Sequence, residues 1–295
     1  MRQGRASGTA MMSAYARGLG DLGITRVPGF RDAAAAQLLT GMLWRFLLGR
    51  ARRVAATHGK RRERMIPHLD GILLRVAFID HLLAQNPCEQ VVILGAGLDT
   101  RAWRLPALRD VRLFEVDHPA TQAYKRERAA KLGPPHVQPR YVAVDLRHDQ
   151  LAAALRCAGH DPSAPSVWIW EGVIMYLDDA ALRGTLEAIR SASGPGSTLI
   201  AHYYEPPERE GLFRRLLRRT VLSWFGEPWI GVRRCEVMQQ ELIQAGFRVG
   251  GDADTDQQAA AVGAPAPAPT HAGTSRVVWA KVSASATLAA DGCGS

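Results

Sequence analysis

Cysteine is scarce in this chain. Cys88, Cys157, Cys235 and Cys293 lie far apart and none belongs to a C-x-x-C pair, which argues against a zinc knot or a disulfide framework. Long apolar runs are missing too. The best stretch, Met42 to Leu48, is interrupted by Arg45 and is far too short to span a bilayer. The first eighteen residues contain no apolar core of secretory length. These absences lead us to expect a soluble, cytoplasmic protein with no membrane partner. No Gly-Lys-Ser/Thr follows a glycine-rich turn, so a P-loop is excluded. The densest basic run, Lys60-Arg61-Arg62-Glu63-Arg64, has no interleaved aromatic residue to stack bases. We therefore expect no nucleic-acid partner, although the net charge of +9 would suit an anionic one.

What is present is a globular composition. Hydrophobic residues make up 47% of the 295 positions, enough for a sizeable core in one large α/β domain or two small ones. From residue 31 to about 85, apolar residues recur at helical spacing. Leu38, Leu39, Met42, Leu43, Phe46 and Leu47 form one stripe; Met65, Ile66, Leu69, Ile72, Leu73 and Val76 form another. Gly59 between them reads as a helix stop. After Pro87 short apolar runs alternate with helical stretches. Gln90–Leu94, Val111–Val116, Tyr141–Val144, Val167–Trp170 and Thr198–His202 read as buried strands, and two later runs, near Phe247 and at Arg276–Val282, are available to complete the sheet. Strands alternating with helices predict a mostly parallel sheet covered on both faces. The Ala/Pro/Gly/Gln-rich stretch Asp252–Thr274 reads as a flexible connection.

Four segments carry chemistry. In Val91-Val92-Ile93-Leu94-Gly95-Ala96-Gly97-Leu98-Asp99-Thr100-Arg101 a strand runs into a Gly-x-Gly turn and a helix, the place where doubly wound sheets bind ligands. A dinucleotide fingerprint needs a third glycine, and Thr100 stands there. The turn suits a nucleoside without a pyrophosphate. Asp117, in Phe114-Glu115-Val116-Asp117, ends the next strand, where an acid accepts from ribose hydroxyls; its alternative is capping the next helix. Glu115 shares its side-chain parity. Asp145 and Leu146 follow the third strand and suit an adenine. Glu171 leaves the fourth, and a buried carboxylate there needs a cationic partner: an ammonium or sulfonium ligand, or a structural arginine.

Taken together, LGAGLDTRAWRL, FEVDHP…K, VDLR and EGVIMYL resemble the leucine carboxyl methyltransferase family, whose bacterial branch includes O-methyltransferases of polyketide and other natural-product pathways. The resemblance implies a class I methyltransferase fold: a Rossmann-like, doubly wound, mostly parallel seven-stranded sheet with an N-terminal helical lid. It implies S-adenosylmethionine as cofactor and no metal. Gly95, Ala96 and Gly97 would line its methionine part, Asp117 its ribose, Asp145 and Leu146 its adenine, and Glu171 its amino-acid end. Arg75, matching a family arginine, would pair with the cofactor carboxylate, and Arg17 resembles an N-terminal basic residue of the family. The organisation expected is a lid over 1–85, a cofactor-binding domain over 86–282 with a cap insertion at about 205–235, and a disordered tail over 283–295. The family's Asp-Pro after an N-terminal aromatic is here Asp32-Ala33.

The function expected is methyl transfer to a carboxylate or hydroxyl oxygen of a small molecule or peptide C-terminus. An ionised carboxylate needs no base, whereas a phenol or alcohol profits from one. His202, Tyr203 and Tyr204 are the weak candidates for a catalytic group, with a structural histidine as the alternative for His202. Arg214, Arg215, Arg218 and Arg219 in the cap would attract an anion. The competing classes are an RNA methyltransferase and a non-catalytic nucleotide-binding scaffold.

Overall fold

A computed structural model of the chain describes residues 7–56, 70–146, 150–206, 229–267 and 273–283. The stripe residues Met65, Ile66 and Leu69, the Gly59 stop, the Lys60–Arg64 run, the cap arginines Arg214, Arg215, Arg218 and Arg219, and the tail from residue 284 lie outside the described residues.

The N-terminal part is helical: α1 (Gly8–Asp21), α2 (Ala33–Gln37), α3 (Met42–Ala55) and α4 (Asp70–Gln85). Helix α1 precedes the stretch from residue 31 on that reads as helical from its apolar spacing. It is capped by the Ser7 hydroxyl, and its Gly/Ala-rich face packs closely enough that a Cβ on Gly18 would sit 3.1 Å from that of Ala36. The alternation that follows is β1 (Gln90–Leu94), α5 (Arg101–Arg104), β2 (Arg112–Asp117), α6 (Pro119–Ala129), β3 (Arg140–Ala143), α7 (Leu151–Cys157), β4 (Ser166–Trp170), α8 (Asp179–Ser191) and β5 (Thr198–Glu205). The chain closes with α9 (Cys235–Gln244), β6 (Phe247–Ala253), α10 (Thr255–Ala261) and β7 (Thr274–Val282). Helix α5 is short, because Pro106 lacks the N–H to continue it and starts a separate 3₁₀ turn.

The seven strands form one sheet in the order β3-β2-β1-β4-β5-β7-β6. β1 to β5 are parallel, and β7 runs antiparallel between β5 and β6. Alternate strand residues feed two cores. Val92, Leu94, Phe114, Trp168 and Trp170 face one side, while Val91, Ile93, Val167 and Ile169 face the other with Phe78, Ile79 and Leu82 of α4. Both faces are therefore covered, as near-continuous apolar strands require. Among the described residues no helix is long and apolar enough to cross a membrane.

The flexible connection expected from Asp252 to Thr274 is corrected in part. Strand β6 reaches Ala253, and Asp254 with Gln257 forms a complete capping box that starts α10. Ala259 of α10 packs with Leu73, Leu74 and Val76 of α4. An Ala/Gln-rich stretch is good helix material once a cap satisfies its first N–H groups.

His160, buried in the α7–β4 connection, shares a hydrogen bond with Ser166 Oγ at 3.1 Å and packs against Phe114 and Trp168. Burial, helped by Arg112, holds its pKa down at about 4. Between that value and the unfolded one near ~6.5 the folded chain binds fewer protons than the unfolded chain. The contribution is complete above the unfolded pKa and disappears as pH falls through the folded one. Thermal midpoints measured from pH 7.5 to 4 should fall less steeply for His160→Gln than for the natural chain. Parallel slopes would contradict a buried neutral imidazole.

Candidate functional site

The carboxyl ends of β1 to β5 open into one cavity of about 470 Å³, a size typical of small-molecule sites. Its lining follows the strand order. Asp145 and Leu146 come after β3, Asp117 ends β2, Gly95 to Leu98 follow β1, Glu171 to Val173 follow β4, and Tyr204 belongs to β5. Helix α1 contributes Ala10, Met12, Ser13 and Arg17 from above, and α4 contributes Ile72, Arg75 and Val76. Thus Arg17, Arg75, Gly95, Ala96, Gly97, Asp117, Asp145, Leu146 and Glu171, scattered over 155 positions, line one space.

The turn after β1 is shaped by its glycines. Gly95 has φ 63°, and a Cβ there would lie 2.2 Å from Val173 Cγ2; Gly97 has φ 52° and approaches Ala10. Both conformations favour glycine. Asp117 holds this turn: Oδ2 accepts from the Gly97 N–H, and Oδ1 accepts from the His118 N–H at 2.6 Å. The cap of α6 is not Asp117 but His118, whose Nδ1 accepts from Ala120 N. Burial raises the Asp117 pKa, and the two N–H donors only partly offset it. Glu115, one pleat deeper, is absent from the cavity lining. It is buried against Lys125 of α6, and burial pushes its carboxyl up to about 7 despite that ammonium.

The cavity floor is part of an ionic network that the sequence reading did not foresee. Arg101, 1% exposed, donates to Asp80 Oδ1 of α4 at 2.7 Å, to Asp99, and to Glu171 Oε2 at 3.0 Å. Arg75 Nε donates to Glu171 Oε1 at 3.0 Å. Burial pushes the Glu171 carboxyl upward, but Arg75 and Arg101 outweigh it and hold the group below its ordinary range. Asp99 is held lower still, its burial overcome by Arg101, Lys125, Arg17 and Arg104. The structural arginine considered as the alternative for Glu171 is thus real and doubled. Its signal was in plain view: Asp99-Thr100-Arg101 places an acid and a base two apart across a turn, and Arg101 N indeed donates to Asp99 Oδ1 at 2.7 Å.

Thr100, where a dinucleotide fold has its third glycine, ties the lid to this floor. Its hydroxyl donates to Asp32 Oδ2 at 2.6 Å and accepts from Arg17 Nη1 at 2.9 Å, while Arg17 Nη2 donates to Leu98 O at 2.6 Å. Asp32 also caps α2 by accepting from Ala35 N.

The three aromatic candidates on β5 fall in different places. Tyr204 lines the cavity. His202 is fully buried one pleat below it, Nε2 at 3.2 Å from Ser275 Oγ and 3.5 Å from Arg75 Nη1, and is absent from the lining. Burial, then Arg75, keeps its pKa far below the usual histidine value. Tyr203 points to the opposite face, where its hydroxyl donates to Asp252 at 2.6 Å. Residues i and i+2 share a face while i+1 does not.

Replacing Arg101 by Met leaves the buried Asp99 and the largely buried Asp80 and Glu171 short of a cation. Breaking a buried pair from one side costs roughly 3–5 kcal/mol, so urea unfolding at pH 7.5 should show Arg101→Met destabilised by at least that much. A loss under about 1 kcal/mol, the range of exposed pairs, would mean that the network is not a buried one.

A family model described as leucine carboxyl methyltransferase matches residues 10–190. A protein of Mycobacteroides abscessus, named by inference an S-adenosyl-L-methionine-dependent methyltransferase, is 34% identical over 206 residues, covering 66% of this chain and 68% of that protein. One of Mycolicibacterium gilvum with the same inferred name is 39% identical over 145 residues, covering 48% and 47%. The first relatives are thus matched over about half to two thirds of their length, between 47% and 66%. Among solved structures, a protein of Thermobifida fusca YX described by inference as a methyltransferase superposes with a TM-score of 0.55 at 17% identity, over 95% of this chain and 96% of that one. A DUF574-family protein of Streptomyces avermitilis gives 0.53 at 13%, over 71% and 83%. These two likenesses share the fold described above, a class I methyltransferase sheet. With 181 of its 295 residues under the family model, the chain belongs to the leucine carboxyl methyltransferase family.

Proposed function

We propose that the cavity binds S-adenosylmethionine and that the chain transfers the methyl group to an oxygen of a small acceptor. The order of chemistry along the sheet edge carries this reading. An acid and an apolar residue after β3 suit adenine, an acid ending β2 suits a ribose diol, close-packed glycines after β1 suit a thin chain, and Glu171 with Arg75 after β4 suit an amino acid. The charge balance agrees. Asp99, Asp117, Asp145 and Glu171 face Arg17, Arg75 and Arg101, a surplus of one negative charge, which matches a ligand with an ammonium, a carboxylate and a sulfonium.

In this reading Asp117 grips the ribose with the lone pairs that its two backbone donors leave over. Asp145 accepts from the adenine amino group and Leu146 packs on the ring. Glu171, kept ionised by Arg75 and Arg101, attracts the ammonium, and Arg75 pairs with the carboxylate. Arg17 acts mostly through the turn, since its guanidinium is engaged by Leu98 O and Thr100. When bound, the cofactor supplies a methyl group on a sulfonium, an electrophile that needs no metal. The protein's task is to hold an acceptor oxygen in line and exclude water, which α1 does from above.

Acceptor chemistry follows from what reaches the cavity. His202 does not, and it is held neutral between Arg75 and Ser275. An acceptor already ionised at neutral pH, a carboxylate first of all, needs no base and fits this lining best. The volume favours a small molecule.

Calorimetry should detect binding of S-adenosylmethionine or its demethylated product in the presence of a chelator. Asp117→Ala should weaken it by about 1.5–3 kcal/mol, the cost of a charge-assisted contact, and more than Glu115→Ala does. No binding, or binding restored only by a divalent metal, overturns the reading. The methylated product should be an ester cleaved by mild alkali, and His202→Ala should keep kcat at saturating cofactor within about tenfold, short of the loss of a general base. An alkali-stable ether together with a hundredfold drop would make His202 the base.

A further inference from the structure

Past the glycines and Glu171, at the β4–β5 end of the edge, the lining changes character. Met175, Tyr176, Tyr204, Trp229 and Ile230 line it, with Met12 contributed by α1, and none of these six carries a charge. Its centre is a ring pair. Trp229 stacks on Tyr204 with centroids 4.4 Å apart and planes 23° from parallel. His202 meets Tyr204 in a near-perpendicular edge contact at 4.9 Å, so ring contacts run from the strand interior to the cavity.

The chain's own contacts hold this wall in place. The Ile230 and Gly231 N–H groups donate to Met175 O at 2.9 and 3.0 Å. Gly231 lies so close to the turn after β4 that a Cβ would sit 2.3 Å from Ile174 O and 2.5 Å from Leu177 O. Arg233, 6% exposed, locks the far end: its N–H donates to Tyr204 O at 3.0 Å, and its guanidinium reaches Asp179 at 2.6 Å, Glu241 at 2.9 Å and Gly231 O at 2.8 Å. Three elements thus fix the backbone that carries Trp229. An aromatic pair held in place is a stacking surface of low ordering cost. Two methionines beside it are soft contacts that favour ring edges.

We propose that the acceptor is a planar aromatic molecule whose ring system packs on the Tyr204–Trp229 pair, with the oxygen to be methylated carried on or beside that ring. This rests on the cofactor reading above, which sets the methyl donor on the Glu171 side of the wall. A flexible acyl chain would gain area there but no stacking, and a peptide terminus would find no charged or amide side chain among the described wall residues.

The test is calorimetry on the full chain, first with S-adenosylhomocysteine and then, with that compound saturating, against three probes: 1-hydroxy-2-naphthoate, decanoate and a tripeptide ending in leucine. The naphthoate should bind at least tenfold more tightly than either other probe. Trp229→Ala should lose about tenfold in naphthoate affinity with S-adenosylhomocysteine affinity unchanged, and Trp229→Phe should retain most of it. Equal or tighter binding of decanoate or the tripeptide, an undiminished Trp229→Ala, or no naphthoate binding would overturn the proposal. Failure of S-adenosylhomocysteine to bind would overturn the cofactor reading instead, and naphthoate titrated into the cofactor-free chain would still read the wall.

Discussion

Arg101 occupies the point where three parts of the molecule meet. Its guanidinium joins Asp80 of α4, Asp99 of the turn after β1, and Glu171 at the end of β4. Asp99 is buried, and Asp80 and Glu171 expose only 15% and 12% of their side chains. Together with Arg75 and Arg104, Arg101 fixes the directions of the carboxylates. Such a network contributes little net stability, because desolvation offsets the Coulomb attraction. What it does supply is a fixed array of charge at the sheet edge, and the candidate site is that array's upper surface.

The lid is coupled to the same array. Arg104 approaches both Asp80 and Asp32, and Asp32 reaches Thr100 and Arg17. Helix α1 is therefore held to the glycine turn by the polar contacts of Arg17, and the neighbouring Gly18 packs closely on α2. A chain of paired groups runs from the lid through the turn to β4, so the residues that would grip a cofactor and the residues that would cover it share partners. Changes at Thr100 or Asp32 act on both at once.

The cavity divides into a charged half and an apolar, aromatic half, and the division follows the strand order. Parallel β1 to β4 lead into acids and glycines, and β5 carries Tyr204 near its end, where it meets Trp229. Arginine serves both halves as a fastener. Arg101 and Arg75 hold Glu171, and Arg233 holds the aromatic wall against β5, α8 and α9. The abundance of arginine in the chain is thus partly an interior feature, in which each guanidinium satisfies several acceptors with one planar fork.

Sequence alone determined the strand–helix alternation and the carboxyl-edge residues, because buried parallel strands must be apolar throughout and a ligand-binding turn must contain glycine where φ is positive. Asp117, Asp145 and Glu171 were legible since each stands where such a strand stops. The tertiary structure decided what those residues touch. Glu171 meets two arginines from positions 70 and 96 residues away, a pairing that no local pattern encodes. Strand parity alone could not say that His202 stops one pleat short of the cavity while Tyr204 reaches it, because depth along a strand depends on where its neighbours end. Composition likewise made Asp252–Thr274 resemble a linker, while the Asp254–Gln257 cap and the apolar face of α4 turned part of it into helix. The aromatic wall was the least legible of all: Tyr204 and Trp229 are 25 residues apart, and the docking of Ile230 and Gly231 on the turn after β4 and of Arg233 on β5 brings their rings together.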